Sequence, residues 1–272
     1  MVVGAVVTPW LPYPRIQAKN CGPARTRAPA TLICLHTIES PERPGTARDT
    51  ANWFAGRLGP APKASAHFCV GQDEVIQCVA IDVVSWAAPG ANSRAVNIEQ
   101  EGRASQTAEQ WGDTASRAML TRSARLCAEL VRELDIPPVR LDFAAVRAGA
   151  PGICGHHDVT LAFPDKGHGH TDPGVAFPWD AYMAAVVDEL AKRATDPAPP
   201  IAPDLPTLRL GSTGEAVRLL QERLRLHGFL ATVDGAFGPA TEAAVRRFQK
   251  SVALGVDGVV GAISWAALMG DP

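Results

Sequence analysis

"TLICLH", residues 31–36, is the stretch on which the fold turns. It has the length and aliphatic composition of a β-strand, and it closes on His36, where a side chain projects from the sheet edge into whatever cleft lies beyond. Four more runs share that character: "SAHFCV" (65–70), "EVIQCVA" (74–80), "AVNIEQE" (95–101) and "GICGHH" (152–157). Helical patterns lie among them. Residues 113–134 carry Met119, Leu126, Leu130 and Leu134 on one stripe and run into Pro137 and Pro138. A second helix opens near Pro178 and continues through Val186, Val187 and Leu190. Strands interleaved with helices predict an α/β domain, its central, mostly mixed β-sheet flanked by helices.

The 272 residues, 46% hydrophobic and 20% charged, suit a soluble globular protein of one or two domains. A net charge of -2 lacks the basic footprint of a nucleic-acid binder. No stretch approaches the roughly 18 apolar residues of a membrane helix, so no membrane insertion is expected. The start, "MVVGAVVTPWLPYPR", has no cationic region before its apolar residues and is broken by prolines, which reads poorly as a signal peptide. The expected origin is therefore the cytoplasm. Six cysteines (21, 34, 69, 78, 127, 154) without C-x-x-C spacing are expected as free thiols, mostly buried as small hydrophobes.

The segment "TDPAPPIAPDLPT" (195–207) places five prolines in thirteen residues and predicts an extended spacer. The domains expected are thus 1–194, a linker 195–206, and 207–272. After the spacer, "VDGAFGPATEAAV" (233–245) and "VDGVVGAISWAAL" (256–268) repeat at an offset of 23 residues, each an Asp-Gly turn, a second glycine and a helix opening. "STGE" (212–215) has the spacing of a capping box, Ser212 to Glu215. This predicts a small C-terminal three-helix domain with Val217, Leu220, Leu224, Val245, Phe248, Trp265 and Leu268 as its core.

Six of seven histidines precede the spacer: His36, His67, His156, His157, His168 and His170. His36 and His156 end strand-like runs, and Asp172 is followed by Pro173 and Gly174, which suit a rigid turn. Two imidazoles and one carboxylate are a ligand set for a catalytic zinc with a fourth position open. Nothing local of the H-E-x-x-H kind joins them, so residue types alone leave a metal site and unrelated structural histidines both open. In "NIEQEG" (97–102), alternation puts Asn97, Glu99 and Glu101 on one face, either toward a cleft or as solvent-facing decoration.

In this order, "LICLHT", "SAHFCV", "NIEQEG", "GHHDV" and "HTDPGVAFPWD" resemble the zinc-dependent N-acetylmuramoyl-L-alanine amidases of type 2, whose fold is shared with peptidoglycan recognition proteins. Residues 207–269 separately resemble the three-helix peptidoglycan-binding module, and the combination is similar to bacteriophage endolysins. The resemblance implies a zinc cleft with Zn2+ held by His36, His156 and Asp172, and Glu99 as catalytic acid/base. His170 falls where many members carry a lysine that steadies the transition state; an imidazole can donate the same hydrogen bond but changes charge near neutral pH. Ala87 departs from a histidine that relatives often show. The implied reaction hydrolyses the amide between N-acetylmuramic acid and L-alanine in peptidoglycan, by a monomer that reaches the cell wall after release through a partner such as a holin. Alternatives are a non-catalytic receptor on the same fold and a cytosolic cell-wall recycling amidase. His157 is expected on the opposite strand face from His156, as a structural residue. Cys154 shares the His156 face, but with three ligands assigned and the fourth position open it is not read as a ligand. His67 lines the cleft or is buried, His168 receives no role, and His227 lies away from the chemistry. Trp86 and Trp179 are read as packing residues.

Overall fold

The computed structural model describes residues 10–25, 29–166, 169–195, 205–229, 232–252 and 254–269. The chain divides into two compact units, Met1–Thr195 and Asp196–Pro272. The first residues of the apolar start, most of the proline-rich spacer, and His168 lie outside the described residues.

In the first unit the strands are β1 (Leu32–Thr37), β2 (Phe68–Val70), β3 (Val75–Gln77), β4 (Ala95–Gln100) and β5 (Gly152–Gly155). The helices are α1 (Thr46–Phe54), α2 (Ala108–Trp111), α3 (Thr114–Glu133), α4 (Phe143–Arg147), α5 (His156–Ala162) and α6 (Trp179–Thr195). Among the described residues the strands form one mixed sheet in the order β3-β2-β4-β1-β5. β1 runs parallel to both β4 and β5, β4 parallel to β2, and β3 antiparallel to β2.

All six residues of β1 are buried because both faces of the sheet are covered, which is why its sequence reads as an apolar run rather than an alternation. Ile33 and Leu35 share one face with Val96 and Ile98, under Met119 and Leu130 of α3 and Val186 of α6. Leu32 and Cys34 look the other way, onto Leu141, Cys154 and Val159. α3 starts where the Asp113 carboxylate accepts the Ser116 N–H at 2.8 Å, a side-chain cap on an otherwise unpaired donor. All six cysteines are free.

The run "GICGHH" departs from expectation. β5 stops at Gly155, and His156 begins α5. The Asp158 carboxylate accepts the Gly155 N–H at 2.9 Å and is itself held by Arg140 at 2.8 Å, so the backbone is already capped and turning. His157 is therefore one helical step round from His156, exposed, with its Nδ1 3.1 Å from the His170 carbonyl.

In the second unit, α7 (Glu215–Leu226), α8 (Pro239–Ser251) and α9 (Ala262–Met269) bury all seven expected core residues. Both Asp-Gly turns are held by a buried glutamine. Gln221 Oε1 accepts from the Asp234 and Gly235 N–H groups, while its Nε2 donates to Asp234 Oδ1 at 2.7 Å. Gln249 repeats the device, accepting from Gly258 and donating to Asp257 and Val259. The capping box does not form. α7 begins at Glu215 with Gly214 at its cap, and Ser212 Oγ instead accepts the Arg209 N–H within its own turn. His227 bonds the Leu268 carbonyl within this unit. Among the described residues no helix is long and apolar enough to cross a membrane.

Candidate metal centre

Three donors from three separate segments converge. His36 comes from the end of β1, His156 from the first residue of α5, and Asp172 from the loop before α6. Their ligand atoms lie within 4.8 Å of one another, and the residues are 2%, 3% and 7% exposed. His36 Nδ1 is 3.3 Å from Asp172 Oδ2, and His156 Nδ1 is 3.3 Å from Asp172 Oδ1. The carboxylate thus faces two imidazoles with one oxygen each.

The sequence builds this junction tightly. The His157 N–H donates to the Asp172 carbonyl at 2.9 Å, tying the loop to the first turn of α5. A Cβ on Gly155 would stand 2.7 Å from Pro173 Cδ, and one on Gly174, whose φ is 99°, would stand 2.0 Å from the Ala104 carbonyl oxygen. Neither position admits a side chain without moving backbone.

Burial opposes charge on all three donors, but their mutual contacts override it unevenly. Burial and the His36 charge push His156 down to about 4. Burial also opposes charge on His36, yet the hydrogen bond to Asp172 and the Glu99 and Asp172 charges raise it. Asp172 is held well below the carboxylate range by the two imidazoles despite burial. A carboxylate that stays ionised in a buried place needs a cation, and here a proton on His36 supplies one. Two nitrogens and an oxygen around such a point fit a divalent metal of zinc's preferences.

Glu99 stands opposite His36 in the β1–β4 register and is half-buried. Burial raises its carboxyl to about 7; Asp172 and Glu39 add to this, and His36 opposes it. Glu101, placed by alternation on the same strand face as Glu99, is fully buried. Its carboxylate accepts the backbone N–H groups of Arg43 and of Gln72, the latter at 2.6 Å, and so fixes two rim loops. Neither glutamate is solvent decoration. His170 is exposed, stacks on the His156 ring at 3.9 Å, and places Nδ1 3.6 Å from Asp172 Oδ1.

Cys154 does not join the donors; it pairs with Cys34 in register and lies in the apolar cluster with Leu141 and Val159. His67 is buried rather than cleft-lining. Trp179 packs on Phe177 beneath Arg140, but Trp86 is 40% exposed, so packing does not account for it. Sequence reading passed over Asn97, whose Oδ1 is 3.0 Å from His36 Nε2; its parity with Glu99 was the available signal. It also passed over a cavity of about 310 Å³ lined by Thr37, Arg43, Asp49, Thr50 and Trp53, which opens on Glu99.

A mixed-sheet α/β domain with two histidines and an aspartate converging at its strand ends has the donor set that a single-metal hydrolase needs. The chain belongs to the N-acetylmuramoyl-L-alanine amidase family, whose model matches residues 26–175. Residues 213–268 match the model of a peptidoglycan binding domain. Among curated proteins, the chain is 52% identical over 60 residues to a zinc D-Ala-D-Ala carboxypeptidase of Streptomyces albus G, covering 20% of this chain and 23% of that one. It is 46% identical over 56 residues to a spore cortex-lytic enzyme of Bacillus cereus, covering 20% and 22%. The chain thus spans less than a quarter of the length of either. Among solved structures, the Staphylococcus aureus hydrolase AmiA in complex with its ligand aligns over 68% of this chain and 85% of that one, at 17% identity and a TM-score of 0.49.

Proposed function

We propose that this chain is a zinc-dependent N-acetylmuramoyl-L-alanine amidase, hydrolysing the amide between N-acetylmuramic acid and L-alanine in peptidoglycan. The observation that carries the reading is the convergence of His36, His156 and Asp172 beside a half-buried Glu99. The family match and the second, peptidoglycan-binding match support it.

His36, His156 and Asp172 hold the metal. Bound zinc supplies a Lewis acid that acidifies water and polarises a carbonyl. Glu99 takes the proton of the attacking water and returns it to the leaving amine of L-alanine; a carboxyl raised to about 7 by burial suits both transfers near neutral pH. His170, exposed at the rim, hydrogen-bonds the oxygen on which negative charge develops. The cavity beside Glu99 receives the substrate chain, with the half-exposed Trp53 as its apolar wall. The C-terminal unit holds the polymer, raising the effective concentration of scissile bonds around the catalytic unit. Host lysis, as a phage endolysin released through a holin, is the setting that a wall hydrolase joined to a wall anchor fits.

Mass spectrometry of purified peptidoglycan digested by the zinc-loaded chain, beside an EDTA-treated control, tests this. Free stem peptides with a new L-alanine N-terminus, lost with the metal, are expected. Intact sacculi that bind the protein would instead make it a receptor, and cleavage confined to soluble fragments would make it a recycling enzyme.

A further inference from the structure

One buried network touches the candidate metal centre without supplying a ligand to it. It runs from His67 through Ser85 and Asn97 to His36, and each of the four residues is 2% exposed or less. Its polarity follows from a single group that has no choice. The backbone N–H of Asn97 can only donate, and it points at His67 Nδ1 at 2.9 Å. His67 Nδ1 is therefore an acceptor, and its Nε2 carries the hydrogen, donated to the Val83 carbonyl at 2.9 Å. Burial and the neighbouring Arg25 guanidinium keep this ring neutral, lowering it to about 3.

Ser85 Oγ lies 2.9 Å from the same Nδ1, so its one hydrogen points there. Its oxygen is then left to accept, and Asn97 Nδ2 donates to it at 2.8 Å. That fixes which end of the Asn97 amide is which. Oδ1 must face His36 Nε2, at 3.0 Å, and an amide oxygen can only accept. His36 Nε2 is thus held as a donor, which leaves Nδ1, the nitrogen turned toward Asp172, as the one whose lone pair a metal would take in place of a proton. A flipped amide would demand a lone pair at Nε2 and move the hydrogen onto Nδ1, into the metal position.

We infer that Asn97, oriented by Ser85 and His67, is a positioning residue that locks the His36 tautomer so that Nδ1 is the metal donor. This rests on the metal-site reading above, and it extends it from which residues bind to which atom binds and what enforces the choice. Partners of this kind around a ligating histidine typically change metal affinity by 10–100-fold when removed.

The test measures zinc affinity by competition with a chelator, together with long-range 1H–15N correlation of the histidine rings in the zinc-loaded chain. In the wild type, His36 is expected to carry its proton on Nε2 and the metal on Nδ1. Asn97→Ala is expected to weaken zinc 10–100-fold, and Ser85→Ala several-fold, with folded circular dichroism spectra and a faster-exchanging Nε2 proton. Asn97→Asp has two equivalent oxygens and needs no orienting, so adding Ser85→Ala to it should cost no further affinity. That loss of coupling is not expected of a merely structural serine. A zinc-loaded wild type whose His36 proton sits on Nδ1, or unchanged affinity in both alanine variants, overturns the lock while leaving the metal site standing. A wild type that binds no zinc overturns both.

Discussion

Glu99→Gln should abolish hydrolysis and at the same time make the metal-free fold more stable. In the folded chain Glu99 holds its proton up to about pH 7, against about 4.5 for an ordinary glutamate. Between those values the folded state binds more protons than the unfolded state, so stability falls as pH rises, and above 7 the whole cost stands. The gap corresponds to about 3 kcal/mol at most. Water reaches the half-buried carboxyl, so about half of that should persist. A neutral glutamine escapes it. In a unit of this size the gain amounts to roughly 3–6 °C in Tm. The assay is thermal unfolding of EDTA-treated wild type and variant at pH 4.5 and pH 8, beside turnover of peptidoglycan by the zinc-loaded forms. The two Tm values should meet at the lower pH and separate at the higher one, with hydrolysis falling by about 10²–10⁴-fold. Equal Tm values at pH 8 would refute the argument that burial loads this carboxyl, and full hydrolysis would remove Glu99 from the chemistry.

Zinc at about a thousandfold above its Kd should stabilise the wild type by about 4 kcal/mol; His156→Ala should show no such shift by calorimetry. His170→Ala should lower turnover about tenfold or more, whereas His170→Lys, which keeps a donor there, should retain it; comparing kcat of the two checks the oxyanion role. Gly155→Ala drives a Cβ into Pro173 and should shift the Asp172 loop, so chelator competition should reveal weakened zinc binding in a chain whose circular dichroism is unchanged. Gln249→Ala strands the buried N–H of Gly258 and removes the hold on Asp257, costing about 2–4 kcal/mol in the C-terminal unit; sacculus pull-down should fall while cleavage of soluble muropeptides persists.

What could be read from sequence was whatever a short run decides locally. β1 was legible because a strand covered on both faces must be apolar at every position, and His36 was legible as the polar residue that ends it. The Asp-Gly turns and the C-terminal core were legible for the same reason: turn chemistry and helical spacing sit within a few residues. His156 was placed correctly at the end of an apolar run, but its secondary structure was not. The cap that starts α5 is made by Asp158 with Arg140, sixteen residues earlier than His156, and no local pattern announces it. Glu101 looked like a companion of Glu99 by parity. Its burial depends on two loops, at Arg43 and Gln72, that fold over it from elsewhere in the chain. α1 escaped notice because its buried residues, Thr46, Ala47, Ala51 and Phe54, include a single large apolar side chain, too little to stand out.

The same division explains how the site holds a charge imbalance that local preference would reject. Asp172 and Glu99 are carboxyls drawn away from water, and a proton on His36 answers them. A chain selected for stability alone would replace such a cluster with packed apolar residues, since a buried ion pair seldom improves on them. Here every neighbour instead holds the imbalance in place. The sheet register sets Glu99 opposite His36, and Asn97 grips the far side of the His36 ring. The N–H of His157 fastens Asp172 to the segment that carries His156, so two donors move as one body. A divalent cation at the centre would supply the positive charge that these carboxyls otherwise draw from a proton. Two nitrogens and an oxygen held in this way fit a divalent cation better than a lone proton, and a metal-free chain that takes up zinc would show it.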